Sequence, residues 1–165
     1  MYGVFIGEHD NKIDTKGRVS IPADFRRVIE EGDPKWEPGK NATMAIVYGD
    51  AKRNYLEVFP VADLLKVLKA VARMPRGSAK SQSLRELYAQ KTLYATLDDT
   101  GRIVLSAKLR EKLGLTDMAK VVGSVDTFEI WNPASYDTEG VTNLKAEDDF
   151  DPDLDASVWL AGDVD

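Results

Sequence analysis

The chain has 165 residues, is 43% hydrophobic and carries a formal charge of -6 at pH 7, which suits one ordinary domain or two very small ones with a buried core. It holds no cysteine and a single histidine, His9. This excludes disulfides, thiolate or multi-histidine metal centres and a thiol nucleophile, and argues against a Ser-His-Asp site. Residues 146–165 contribute eight acidic groups and no Lys or Arg, so residues 1–145 hold 22 basic against 20 acidic groups, a net of +2.

The first residues lack the basic lead and long apolar run of a secretory signal. No span reaches the length of a bilayer crossing, and a cytoplasmic protein without membrane contact is the expectation. In chain order, strands are predicted near residues 3–7 and 18–21, joined by a tight turn. Pro22 opens a helix over 23–31, its fixed φ suiting a helix entry. Residues 31–41, rich in Gly and Pro, read as a loop, followed by strands near 42–48 and 55–59. A helix over 61–73 places Leu64, Leu65, Leu68 and Val71 on one face. A basic loop with Arg73, Arg76 and Lys80 leads to a second helix over 81–91.

Strands then recur near 92–97 and 102–105. A short helix over 107–113 has Ser106 as N-cap and Gly114 at its C-terminal end. Strands near 120–124 and 127–131 and a last short helix from Pro133 precede the tail, whose acid-rich composition reads as disordered. Ser157, Val158, Trp159 and Leu160 form an apolar island within it.

These elements are written twice. Asp14-Thr-Lys-Gly-Arg18-Val-Ser-Ile-Pro-Ala-Asp-Phe-Arg26 returns as Asp98-Asp-Thr-Gly-Arg102-Ile-Val-Leu-Ser-Ala-Lys-Leu-Arg110, offset by 84 at every position. Tyr55-Leu-Glu57-Val-Phe59 likewise matches Thr127-Phe-Glu129-Ile-Trp131. A small unit has been duplicated. Neither copy can bury its own sheet face, so the two should pack together with interleaved strands about a pseudo-twofold axis.

Asp at the first and Gly at the fourth position are type I turn residues, and turn chemistry accounts for Asp14, Gly17, Asp98 and Gly101. It does not account for Arg18 or Arg102. Either each Arg pairs with its turn Asp and seals the hairpin, or the Asp orients the Arg outward to a phosphate or a guanine edge. Lys16 adds a second cation to the first turn, whereas the second has Thr100 in that place and a further Asp99. Arg26 and Arg110 read as helix-face ion pairs, with DNA contact left open for Arg26. Glu57 and Glu129 read as structural ion pairs, Phe59 and Trp131 as core or interface aromatics, and His9 as a surface or strand-edge residue. Arg73, Arg76 and Lys80 read as a solvated loop. No residue set suggests a catalytic site, a metal site or a bound cofactor, so an enzyme is not expected.

The paired motifs, with Val122-Gly123 leading into Phe128-Glu129-Ile130-Trp131, resemble the MraZ proteins of bacteria over residues 1–137. The resemblance implies an α+β, mainly β fold: a tandem pair of swapped-hairpin, AbrB-like β-barrel domains with short helices. These would span residues 1–60 and 92–137, with a helical linker over 61–91 and an acidic tail over 138–165. It also implies a transcriptional regulator, expected to be a repressor of the division and cell-wall gene cluster. The partners implied are double-stranded DNA, at tandem promoter repeats, and further copies of the chain in a ring on the nucleoid. Carried over by position, the family's DNA-facing motif falls on Asp14 and Arg18 and on Asp98 and Arg102. Lys16, Thr15 and Thr100 at the turn tips complete the expected DNA-binding set, with Asp14, Gly17, Asp98 and Gly101 shaping and orienting the turns. The alternative is an antitoxin-like regulator of the same fold that neutralises a toxin partner.

Overall fold

The computed structural model describes residues 3–139 together with 153, 155–157 and 160. The disordered tail expected over 138–165 therefore lies outside the described residues, apart from those few positions and from Thr138 and Glu139, which are helical. The chain divides after Pro133 into two compact units, and the first holds every strand among the described residues.

That unit runs β1 (Glu8–Lys12), β2 (Arg18–Ser20), α1 (Ala23–Glu31), β3 (Thr43–Val47), β4 (Tyr55–Pro60), α2 (Val61–Ala72) and α3 (Ala79–Arg85). A π-helical turn (Glu86–Gln90) leads into β5 (Thr92–Thr96), β6 (Arg102–Val104), α4 (Ala107–Leu113), β7 (Met118–Ser124) and β8 (Thr127–Trp131). α5 (Pro133–Glu139) begins at the boundary between the units. The result is a mixed α+β fold dominated by antiparallel strands.

Six strands form one sheet in the order β1-β7-β8-β4-β3-β5, and β2 and β6 form a separate two-stranded ribbon. Exchanging the copies reverses that order onto itself, so the sheet carries the internal twofold expected from the repeat. Each copy lends its first strand to the other: β1 pairs with β7, and β5 pairs with β3. The pseudo-axis crosses the ribbon at the Val19·Ile103 pair and the sheet at the Glu57·Glu129 pair, the two places where equivalent residues face each other.

Between ribbon and sheet lies the main core. Val19, Ile21, Phe25 and Ile29 from the first copy meet Ile103, Leu105, Leu109 and Leu113 from the second. Phe5, Phe25 and Phe128 cluster there with centroids 5.1–5.2 Å apart; Phe5 meets both partners edge to face, the arrangement that ring quadrupoles favour, while Phe25 and Phe128 are tilted at 43°. On the opposite sheet face Ala45, Val47 and Phe59 are covered by Leu64 and by the partly buried Val67, Leu68, Leu87 and Tyr88. Of the apolar face read from the sequence of α2, Leu64 and Leu68 enter that second core and Val71 is buried outside it, whereas Leu65 is 39% exposed and Val67 takes part instead.

Two expectations shift. The predicted strand over residues 3–7 is replaced by β1 over Glu8–Lys12, because Gly7 turns the chain at φ +102. Phe5 keeps only an isolated bridge to Val125. The helix predicted over 81–91 begins earlier, with Ser78 accepting from the Ser81 amide, and passes into the π turn at Glu86. By contrast, α1, α4 and β8 span the residues predicted for them. Ser106 accepts from the Leu109 amide and Gly114 takes the left-handed cap of α4.

Candidate nucleic-acid interface

The repeated turn folds in the same way twice. The Gly17 amide donates to the Asp14 carbonyl at 3.0 Å, and the Gly101 amide to the Asp98 carbonyl at 3.0 Å. In the first turn Asp14 Oδ1 accepts from the Lys16 and Arg18 amides at 3.0 and 2.9 Å. In the second, Asp98 Oδ1 accepts from the Thr100 and Arg102 amides at 2.9 Å each. Those amides, the one at the Arg foremost, hold both carboxyls below the ordinary aspartate range, Asp98 at about 2. Both turns therefore present a fixed carboxylate.

The second oxygen of each carboxylate holds the arginine. Arg18 Nε donates to Asp14 Oδ2 at 2.5 Å, and Arg102 Nε to Asp98 Oδ2 at 3.1 Å. Among the described residues nothing accepts from the terminal Nη groups of either side chain. Arg18 is 32% and Arg102 30% exposed. The two readings of these arginines are thus both present: each seals its turn through Nε and keeps a planar pair of donors for something outside.

The ribbon aims them together. Arg18 lies opposite Val104 and Ser20 opposite Arg102, while Val19 and Ile103 point into the core at 0% and 1% exposure. Alternation then puts Arg18, Ser20, Arg102 and Val104 on the outer face. The two arginines occupy diagonal positions there, about 7–8 Å apart at the backbone. Lys16 and Thr15 are exposed at the tip of the first turn and Thr100 at the tip of the second. Thr100 Oγ1 is drawn back onto Asp98 Oδ1 at 2.9 Å, whereas Lys16 is joined to its turn only through its backbone amide.

The copies also brace one another at this point. Leu105 donates its amide to the Gly17 carbonyl at 2.8 Å, and Ile21 donates its amide to the Gly101 carbonyl at 3.0 Å. A β-carbon on Gly17 would stand 2.5 Å from the Leu105 carbonyl oxygen and 3.1 Å from Arg110 Nε. One on Gly101 would overlap the Arg26 guanidinium. Each glycine, at φ +83 or +80, therefore serves the turn and also admits the helix arginine of the other copy. Arg110 Nε donates to the Leu105 carbonyl at 3.1 Å, while Arg26 Nε is buried without an acceptor. Among the described residues neither arginine forms the helix-face ion pair expected of it. Their equal places in the repeat were the available signal, but the cross-copy contact needs the topology.

The remaining candidates are structural. Glu57 pairs with Arg53 at 2.9 Å as expected, whereas Glu129 forms no ion pair among the described residues and instead accepts from Trp131 Nε1 at 2.9 Å. Phe59 and Trp131 are buried. His9 sits half-buried on the edge strand β1 with its ring against Phe25. Arg73, Arg76 and Lys80 are exposed. Among the described residues no group of acidic or histidine side chains could hold a metal ion, and no helix is long and apolar enough to cross a membrane.

Comparison with known proteins places the whole of the paired-motif region in one family. A family model described as "MraZ protein, putative antitoxin-like" matches residues 4–86 and 89–152. A protein of Ruegeria pomeroyi named transcriptional regulator MraZ is 44% identical over 153 residues, covering 90% of this chain and 92% of its own length. Its namesake in Ruegeria sp. is 46% identical over 155 residues with the same coverage. A more distant one, from Roseiflexus sp., is 34% identical over 133 residues, covering 81% of this chain and 84% of its own.

Proposed function

Because the chain belongs to the MraZ family, and is a transcriptional regulator by that membership, we propose that it works by inserting the β2–β6 ribbon into the major groove of DNA. The observation that carries this reading is the pair of arginines on one ribbon face, each tied at Nε and unengaged at its Nη groups. A two-stranded ribbon fits the major groove, and a guanidinium presenting two parallel donors matches the O6 and N7 acceptors of guanine. Lys16, Thr15 and Thr100 stand at the turn tips, where the flanking phosphates would pass. Asp14 and Asp98 hold the arginines, and Gly17 and Gly101 let the turns close.

The finer proposal follows the family. The halves at 1–60 and 92–137 are swapped-hairpin, AbrB-like units joined by the helices of 61–91. The chain assembles into a ring in the cytoplasm, on the nucleoid. It binds tandem repeats ahead of the division and cell-wall gene cluster and represses it. With a net charge of +2 over residues 1–145, one copy neutralises few phosphates and binds weakly. Several copies on several repeats multiply that weak contact through effective concentration.

Gel retardation of the DNA upstream of the chain's own gene tests the reading. Arg18→Ala should abolish the shift while the assembly measured by light scattering is unchanged, and Arg102→Ala should weaken binding by about tenfold, the low end for one lost base contact. Wild-type retardation by Arg18→Ala would overturn it.

A further inference from the structure

One side chain on the ribbon face is not explained by turn, core or charge. Val104 is 59% exposed and lies opposite Arg18 in the antiparallel register. The other outward residues of the ribbon, Arg18, Ser20 and Arg102, are all polar. An isolated exposed valine is ordinarily without meaning, since scattered apolar residues are common on surfaces. A strand could also select valine for its backbone preference. The duplication provides a control for that second explanation. Ser20 occupies the equivalent slot in the first copy, opposite Arg102 in the same ribbon. The backbone position therefore accepts a small polar residue without loss of pairing, and the strand does not require valine at 104.

What a valine there would meet depends on the groove. On the major-groove edge of the four base pairs the distinctive apolar group is the 5-methyl of thymine. Cross-strand neighbours stand about 4.5–5.5 Å apart at Cβ, and successive bases along one strand are separated by about 3.4 Å. A base beside the guanine taken by Arg18 is thus within reach of Val104.

We propose that Val104 is a specificity-determining residue that packs on the 5-methyl group of a thymine neighbouring the Arg18 contact. This rests on the major-groove reading above. Ser20, at the matching place beside Arg102, offers a hydroxyl that accepts any of several base edges. The two ends of the ribbon then read different sequences, and each bound repeat is asymmetric.

The test is uracil interference, which removes single thymine methyls from a duplex. The duplex is one selected by the full-length chain from a random-sequence library. Uracil at one thymine per bound repeat should weaken wild-type binding by about fourfold, the worth of one buried methyl-sized group. Val104→Ser should lose that sensitivity while guanine N7-methylation still interferes. Ser20→Val should add a second sensitive thymine on the other side of the repeat. Interference by guanine methylation without any sensitive thymine would overturn the proposal and leave the major-groove reading standing. So would an unchanged thymine pattern in Val104→Ser. Failure to select or retain any duplex would overturn both.

Discussion

The two turns share a backbone and part company in the side chains around it. In both, an aspartate collects the same amides and anchors an arginine by Nε. Around the first, Lys16 stands at the tip without a side-chain tether, and Arg110 beneath it is held by the Leu105 carbonyl. Around the second, Thr100 folds onto Asp98, and Asn41 from the long 31–41 loop donates to Asp99 at 2.9 Å. Arg26 beneath it keeps a buried Nε without an acceptor. The first turn is an outward-facing cation pair on a firm base. At the second tip the polar side chains are tied within the protein, and only the Arg102 Nη groups face outward. A duplicated scaffold can diverge in this way because the Asp, Gly and Arg that fix the geometry are separate from the positions that face outward.

The largest test of that contrast is steric. Gly17→Ala sets a β-carbon against the Leu105 backbone oxygen, which cannot yield without disturbing β6. Gly101→Ala sets one against the Arg26 side chain from Cδ to the guanidinium, which can move without displacing backbone. Both add left-handed strain of about 1–2 kcal/mol. Gly17→Ala should therefore cost about 3 kcal/mol in urea unfolding, in the range of core overpacking, and Gly101→Ala about half of that. Equal losses would break the distinction. An exchange of the tips comes next: Lys16→Thr should lower the slope of log affinity against log salt by about one, and Thr100→Lys should raise it by about one. If only the first change alters the slope, the second tip lies off the backbone.

The smallest test lies on the pseudo-axis, where Glu57 and Glu129 face each other. Glu57 has Arg53, while burial raises the carboxyl of Glu129 above its ordinary 4.5 despite the Trp131 indole bond. Between that ordinary value and the raised one the folded chain binds more protons than the unfolded, so stability falls as pH rises through this window. Glu129→Gln keeps an acceptor for Trp131 and removes the opposed charge. It should stabilise the chain at pH 7 by about 0.5 kcal/mol and be neutral at pH 4. Thermal melts at the two values decide it, and the same gain at both would point to packing.

Much of this was legible from residues because repetition doubles every local signal. α1 and α4 follow from Pro22 and Ser106 at equivalent starts, and the turns follow from Asp and Gly at equivalent spacing. The first strand misled because Val4, Phe5 and Ile6 imitate one, while the true strand Glu8–Lys12 is polar. An edge strand needs a partner backbone more than an apolar face, and β7 supplies it. The bracing of each turn by the helix arginine of the other copy was not legible. Arg26 and Gly101 lie 75 residues apart, and the pairing of β2 with β6 across the copies brings them together. Val104 was readable as a break in the match with Ser20, but its exposure and its partner Arg18 come from the ribbon register.

That exchange of strands also governs when the chain can become a protein. β1 finds its ladder on β7, where Glu8 faces Val122, and Val19 is covered through β6. Pairings so distant in sequence are slow to close. During synthesis the first half leaves the ribosome with the edges of β1 and β3 unpaired and half a core open. Until the second half arrives, the nearest equivalent strands belong to another nascent first half, which carries the same repeat. Crowded translation of one message would then favour mispairing between neighbouring chains, and the duplication that makes the folded molecule self-sufficient leaves its unfinished form dependent on isolation.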